Sequence, residues 1–131
     1  RAVKMMAAGH CKLAEARVGI LGLTFKENVT DIRNSKVEDI VREFREFGIR
    51  PIVHDPLADP AAASHEFGIT LSELAEMHDL DALVLAVSHD AYAALSREEL
   101  GAMLKPGGVI IDVKSVLAPE VLPAESRYWS L

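Results

Sequence analysis

The chain has 131 residues, half of them apolar, a formal net charge of −6 and a single cysteine. That length suits one domain of the common size, roughly 100–200 residues, and the apolar half is enough for a core, which excludes wholesale disorder. The acidic balance excludes a broad nucleic-acid surface but not a local anion site, and a lone cysteine excludes an internal disulfide framework.

Residues 1–16, RAVKMMAAGHCKLAEA, set Val3, Met6, His10 and Leu13 on one helical stripe. No capping residue stands ahead of Arg1, so the segment reads as the tail of a longer helix; an ordinary N-terminal helix fits the same pattern. RVGILGL (17–23) is a compact apolar run ending in glycine, suited to a buried parallel strand. The stretch GLTFKENVTDIRNSK (22–36) follows. It is about twice as long as the roughly 2–6 residues of an ordinary strand-to-helix turn.

Ser35-x-x-Glu38 is a capping-box pattern, and Val37, Ile40, Val41, Phe44 and Phe47 then mark one helical face that Gly48 stops. IRPIVHD (49–55) is a second strand, ended by Asp55-Pro56. ADPAAASHEFG (58–68) reads as a short helix from Asp59-Pro60 to Gly68. ITLSELAEMH (69–78) reads as an extended piece and then a helix capped by Ser72. DALVLAVSH (81–89) is a third strand. SREELGAMLKPGG (96–108) is a helix capped by Ser96 and broken at Lys105-Pro106-Gly107-Gly108, with Glu98 and Glu99 near its positive end. VIIDVKS (109–115) is a fourth strand, and the proline-marked tail reads as irregular.

Short Val/Ile/Leu strands alternating with helices predict an α/β fold: a Rossmann-like open parallel sheet with helices on both faces. No apolar run approaches the roughly 20 residues needed to span a bilayer, and no signal-peptide pattern opens the chain. A soluble cytoplasmic domain is the expectation.

In such a sheet, ligands bind outside the carboxyl ends of the strands. Those ends carry Phe25, Lys26 and Arg33 after the first strand, and His54-Asp55 after the second. Ser88, His89 and Asp90 follow the third, and Lys114 and Ser115 the fourth. Lysine and arginine at a helix entrance suit phosphate, Lys26 as a point charge and Arg33 as a planar fork. The bland alternative is that both pair with Glu27 and Asp31 on a solvated loop.

Several signatures fail. Gly19 and Gly22 supply two glycines, but Phe25 stands where the third of a dinucleotide fingerprint would fall, so NAD binding by this turn is not expected. No zinc-ligand spacing links His10, His54, His65, His78 and His89. Ser88-His89-Asp90 are too close in sequence to aim at one another as a triad. His89 reads as a hydrogen-bonded loop histidine or, less often, a group at the ligand mouth. Cys11, within the expected first helix, reads as a buried inert thiol. The residues alone describe a nucleotide- or phosphate-binding domain with no visible catalytic residue and no metal site.

VGILGLTFKENVTDIRNSKVEDIV, VHDP and GGVIIDVKSVL together resemble the C-terminal, UDP-binding domain of the UDP-glucose/GDP-mannose dehydrogenase family, over about residues 17–119. The loop pattern F-K-x(4)-D-x-R is long and specific, and its FKEN…DIRNSK form resembles the UDP-N-acetylhexosamine 6-dehydrogenase branch. The resemblance implies two NAD-dependent oxidations of the sugar C6 alcohol to a carboxylate, for polysaccharide or O-antigen synthesis. It implies a nucleophilic cysteine and an NAD-binding half that lie outside these residues, so this chain binds but does not turn over.

It further implies that Phe25, Lys26 and Lys114 bind the UDP-sugar, and that Arg33 reaches NAD across an interdomain cleft. Asp31 braces the loop. Lys114 replaces an arginine found in many relatives, keeping the charge but losing the fork. Asp55-Pro56 is a structural strand end without a site role, and His54 replaces a tyrosine. Residues 1–16 become the end of the interdomain linking helix, residues 17–131 the UDP-sugar-binding domain, and the full-length protein a homodimer with no nucleic-acid or membrane partner. Two rivals stand beside this reading: a stand-alone nucleotide-binding regulatory module, and a dimerisation domain whose loop charges are merely solvated.

Overall fold

The computed structural model describes residues 1–9 and 11–131. His10, expected on the first helical stripe and weighed as a zinc ligand, lies outside the described residues. Five strands form one all-parallel sheet: β1 (Val18–Leu21), β2 (Ile52–His54), β3 (Leu80–Leu85), β4 (Leu104–Asp112) and β5 (Arg127–Ser130), in the order β2-β1-β3-β4-β5. Helices α1 (Ala2–Ala8), α2 (Val37–Glu46), α3 (Pro60–Phe67), α4 (Asp90–Ala93) and α5 (Arg97–Met103) connect and cover it.

Strand side chains alternate between faces, and here both faces are apolar. Val18, Ile20, Ala82, Val84, Val109 and Ile111 enter one core with Met6 of α1, Val37, Val41 and Phe44 of α2 and Ala63 of α3. Leu21, Leu83, Leu85 and Ile110 enter the other with Tyr92 of α4 and Leu100 and Met103 of α5. Burial on both sides explains why the strands read as continuous apolar runs instead of alternating ones. This is the Rossmann-like α/β fold that the alternation predicts.

Local rules hold at two helices. Asp59 accepts the Ala61 N–H with Pro60 in the first turn, and Gly68 closes α3 in the left-handed conformation. Ser96 and Glu99 form a reciprocal capping box on α5.

Elsewhere the structure corrects the sequence. The first helix ends at Ala8, and Leu13–Glu15 form a single 3-10 turn. Cys11 therefore lies outside the helix and is only part-buried. Ser35 does accept the Val37 N–H, but Glu38 pairs with Arg42 and does not reach back, so that capping box does not form. The helix expected after Ser72 is one 3-10 turn, Leu74–Glu76.

Lys105–Gly108 do not break the chain away from the sheet. Leu104 already pairs with Leu80 before the register shifts, so these residues are excess length within β4, and Gly107 takes the positive φ that the bulge requires. The tail is not irregular throughout: Arg127–Ser130 pair with Val109–Asp112 as the edge strand β5. It escapes the apolar pattern because an edge strand is half-exposed, and Trp129 and Tyr128 pack to opposite faces.

Candidate functional site

β1 lies between β2 and β3, so the chain leaves β1 toward one side and later returns to the other. The crevice at this reversal, outside the carboxyl ends of β1 and β3, is where ligands bind in open parallel sheets. It is formed by the turn Gly22–Asn28 after β1 and the turn Ala86–Asp90 after β3, joined where the Ala86 and Val87 N–H groups donate to the Leu21 carbonyl. A concavity bordered by Arg45, Arg50 and Pro51 sits at the amino end of β2, away from this crevice.

Beneath the first turn is a buried polar cluster. Asp55, at the end of β2, accepts five hydrogen bonds. Oδ2 receives the N–H groups of Leu23 (2.7 Å) and Thr24 (3.0 Å) and His89 Nε2 (2.9 Å). Oδ1 receives those of Leu57 (2.8 Å) and Ala58 (3.2 Å). Burial alone would push the Asp55 carboxyl up. The bonds from Leu23, His89, Leu57 and Thr24 together outweigh it and hold the group below the usual aspartate range.

The tautomer of His89 follows from its partners. Nδ1 accepts the Asn28 N–H at 2.9 Å, so the proton sits on Nε2, which faces Asp55 and, at 3.2 Å, the Thr24 hydroxyl. Thr24 gives its own proton to the Lys26 carbonyl at 3.0 Å. Tyr92, buried beside both histidines, donates its hydroxyl proton to the His54 carbonyl, which makes His54 Nδ1 the donor back to the hydroxyl oxygen. Burial lowers the His54 pKa and raises that of Tyr92.

Of the residues singled out from the sequence, Phe25 and Lys26 lie in the loop tied to this cluster. Phe25 and Lys26 are exposed at the tip of the turn after β1, and Lys26 makes no ion pair among the described residues. Lys114 is exposed just beyond the end of β4. Arg33 is exposed as well, but it is engaged: its guanidinium makes two bonds to the Asp31 carboxylate, at 3.0 and 3.1 Å. That contact, and the Arg33 N–H on the same carboxylate, lower the Asp31 pKa. The Phe25 N–H also donates to the Asp31 carbonyl, closing the neck of the loop. The bland pairing considered for the loop charges therefore forms at Arg33 and not at Lys26.

Sequence reasoning missed Thr24, Asn28 and Tyr92, and gave Asp55 no role. Asp55 and His89 were visible as polar residues at strand ends; their contact was not. His89 turns to Asp55 and not to its neighbour Asp90, whose carboxylate accepts from the Asn28 side chain.

The first turn does not fit a dinucleotide. A Cβ on Gly22 would lie 2.6 Å from Val87 Cβ, so that glycine is closed by protein, and the two N–H groups that would greet a pyrophosphate are taken by Asp55. Burial and the neighbouring Asp81 raise the Cys11 thiol, which suits no nucleophile. Among the described residues, no group of three or more His, Cys, Asp or Glu could hold a metal, and no helix is long and apolar enough to cross a membrane.

The comparisons with known proteins agree on one family. Residues 19–119 match the UDP binding domain of the UDP-glucose/GDP-mannose dehydrogenase family. Protein CapL of Staphylococcus aureus is 35% identical over 98% of this chain and 30% of its own length. A UDP-N-acetyl-D-glucosamine 6-dehydrogenase of Pseudomonas aeruginosa is 39% identical over 88% and 27%. The crystal structure of an NDP-N-acetyl-D-galactosaminuronic acid dehydrogenase from Methanosarcina mazei superposes with a TM-score of 0.82 at 25% identity, covering 98% of this chain and 27% of that one. The chain thus spans about 30% of the length of the first of these relatives. A matching family profile, matching sequences and the same Rossmann-like domain converge: this chain belongs to the UDP-glucose/GDP-mannose dehydrogenase family and corresponds to its UDP binding domain.

Proposed function

We propose that this chain is the UDP-sugar-binding part of an NAD-dependent UDP-N-acetylhexosamine or UDP-glucose-type 6-dehydrogenase. The whole enzyme oxidises the sugar C6 alcohol to a carboxylate for polysaccharide or O-antigen synthesis in the cytoplasm, as a homodimer. The observation that carries this reading is the pair of exposed cations, Lys26 and Lys114, at the carboxyl ends of β1 and β4 on an otherwise acidic chain. Lys26 meets the diphosphate as a point charge, Lys114 faces the nucleotide, and Phe25 lines the sugar pocket.

Arg33 serves the NAD held by another part of the enzyme, and Asp31 keeps its guanidinium in place until that part closes over it. This chain supplies positioning and electrostatics; the covalent and hydride chemistry belongs to residues outside it. Relatives acting on UDP-N-acetyl-D-glucosamine support the choice of substrate class.

The test is a titration of the chain with UDP and UDP-N-acetylglucosamine, followed by melting temperature and calorimetry. Ligand at 100 times its dissociation constant adds about 2.7 kcal/mol to stability. Lys26→Ala weakens binding about tenfold, the loss of one charge-assisted contact. No shift at millimolar UDP favours the structural reading of the domain.

A further inference from the structure

We propose that His89 is a positioning residue for the nucleotide-binding edge: with its ring anchored on Asp55, its bare Nδ1 holds the Asn28 end of the loop at residues 24–28, and thereby presents Lys26. This deepens the function proposed above and rests on it.

Residues 25–28 are all exposed at the loop tip and gain no fixity from packing. What fixes them is polar: the Phe25 N–H on the Asp31 carbonyl at the neck, and contacts from below. Lys26 is bracketed by two backbone anchors. Its carbonyl accepts the Thr24 hydroxyl proton, and that hydroxyl oxygen faces His89 Nε2. Two residues on, the Asn28 N–H ends on His89 Nδ1. One imidazole thus reaches the chain on both sides of the lysine.

Asn28 also holds a left-handed backbone, with φ of 60°, which non-glycine residues rarely keep without support. Its side chain donates to Asp90 Oδ1 and accepts the Asp90 N–H, so residues 89 and 90 together clamp it with three hydrogen bonds. Asp55 holds the other face of the ring and so sets its angle. A ring needed only to fill space would not have its two nitrogens assigned to opposite roles on two different loops. An exposed lysine serves a diphosphate well only if its backbone is already in place, because ordering the loop on binding would cost affinity.

Three variants separate the parts of this arrangement. In His89→Asn the side-chain oxygen stands about where Nδ1 stands and still accepts from Asn28, while Asp55 loses its donor. In His89→Gln the amide N–H reaches toward Asp55 and the Asn28 N–H loses its acceptor. His89→Phe removes both. UDP affinity should follow the Asn28 contact and not stability. We expect binding about tenfold weaker in His89→Gln and His89→Phe and within about threefold of wild type in His89→Asn. Amide exchange at Asn28 should accelerate in the first two only.

A purely structural histidine would instead make affinity track melting temperature through all three variants, and that result overturns the inference. Nitrogen NMR of the wild-type chain decides the matter if a variant fails to fold. Nδ1 must be the bare nitrogen and the Asn28 amide must be protected; a proton found on Nδ1 refutes the proposal. UDP binding by the wild type that His89→Gln leaves intact sinks this inference alone. No UDP binding by the wild type sinks the function proposed above together with it.

Discussion

His89 Nε2 and Asp55 Oδ2 lie 2.9 Å apart with both side chains out of solvent, tying the end of β2 to the turn after β3 directly under the loop that carries Lys26. The exposed Lys26 therefore stands on a buried, hydrogen-bonded polar base. Most of what can be tested about this protein concerns that division between a rigid floor and a solvated rim.

Two buried aspartates should respond differently to amidation. Asp55→Asn places an NH2 group against N–H donors whichever way the amide turns, because both carboxylate oxygens accept backbone bonds. A loss of about 2–4 kcal/mol is expected. Asp112 is different: Oδ2 accepts the Leu117 N–H and the Tyr128 hydroxyl, while the buried Oδ1 has no partner among the described residues. Asp112→Asn keeps both bonds through its oxygen and removes a buried charge, so the change should stay within about 1 kcal/mol. Urea unfolding of the two variants gives the comparison directly.

Stability should fall in acid in two stages. His54 has a folded pKa held down by burial, so the unfolded chain takes its proton first. The contribution is complete above the unfolded value of about 6.5 and is lost as pH drops through the lower folded value. Asp55 follows the same sign at lower pH: its stabilisation is present above the unfolded value of about 3.9 and declines as pH falls through its depressed folded value. Melting temperatures from pH 8 to pH 3 should show both declines, and His54→Gln should remove the upper one.

Gly22→Ala should be severe. The residue has φ of 102°, and an added Cβ would lie 2.6 Å from Val87 Cβ and 2.8 Å from its nitrogen. Strain and collision together should cost about 2–4 kcal/mol, read from thermal unfolding, and should weaken UDP binding in the fraction that folds. Gly48, also at positive φ but with open space around it, should tolerate alanine far better.

Arg33→Ala should leave the melting temperature of the chain nearly unchanged, because its pair with Asp31 is exposed and such pairs contribute little. In the longer enzyme the same substitution should raise the KM for NAD while leaving that for the UDP-sugar in place. Lys26→Ala should do the reverse. Steady-state kinetics with each ligand varied in turn distinguishes them.

Parallel strands, two of the helix caps and the place of Lys26 after a strand could all be read from local patterns, and each has a local cause. The apolar run of Val18–Leu21 reports burial on both faces, Asp59-Pro60 reports a helix start, and Lys26 follows a strand end. What failed locally also has causes. Edge strand β5 is too exposed to show an apolar pattern, Lys105–Gly108 look like a break because glycine and proline serve bulges as well as turns, and Glu38 preferred Arg42 to the helix end.

By itself the sequence determined the layered α/β architecture, since hydrophobic period and turn chemistry act between near neighbours. Only the tertiary structure decided that Asp55, Thr24 and His89 form one cluster, that Arg33 is in an ion pair and that Lys26, among the described residues, is not. A parallel sheet gathers the carboxyl ends of strands that are far apart along the chain, and no local rule says which side chain at one strand end will meet which at the next.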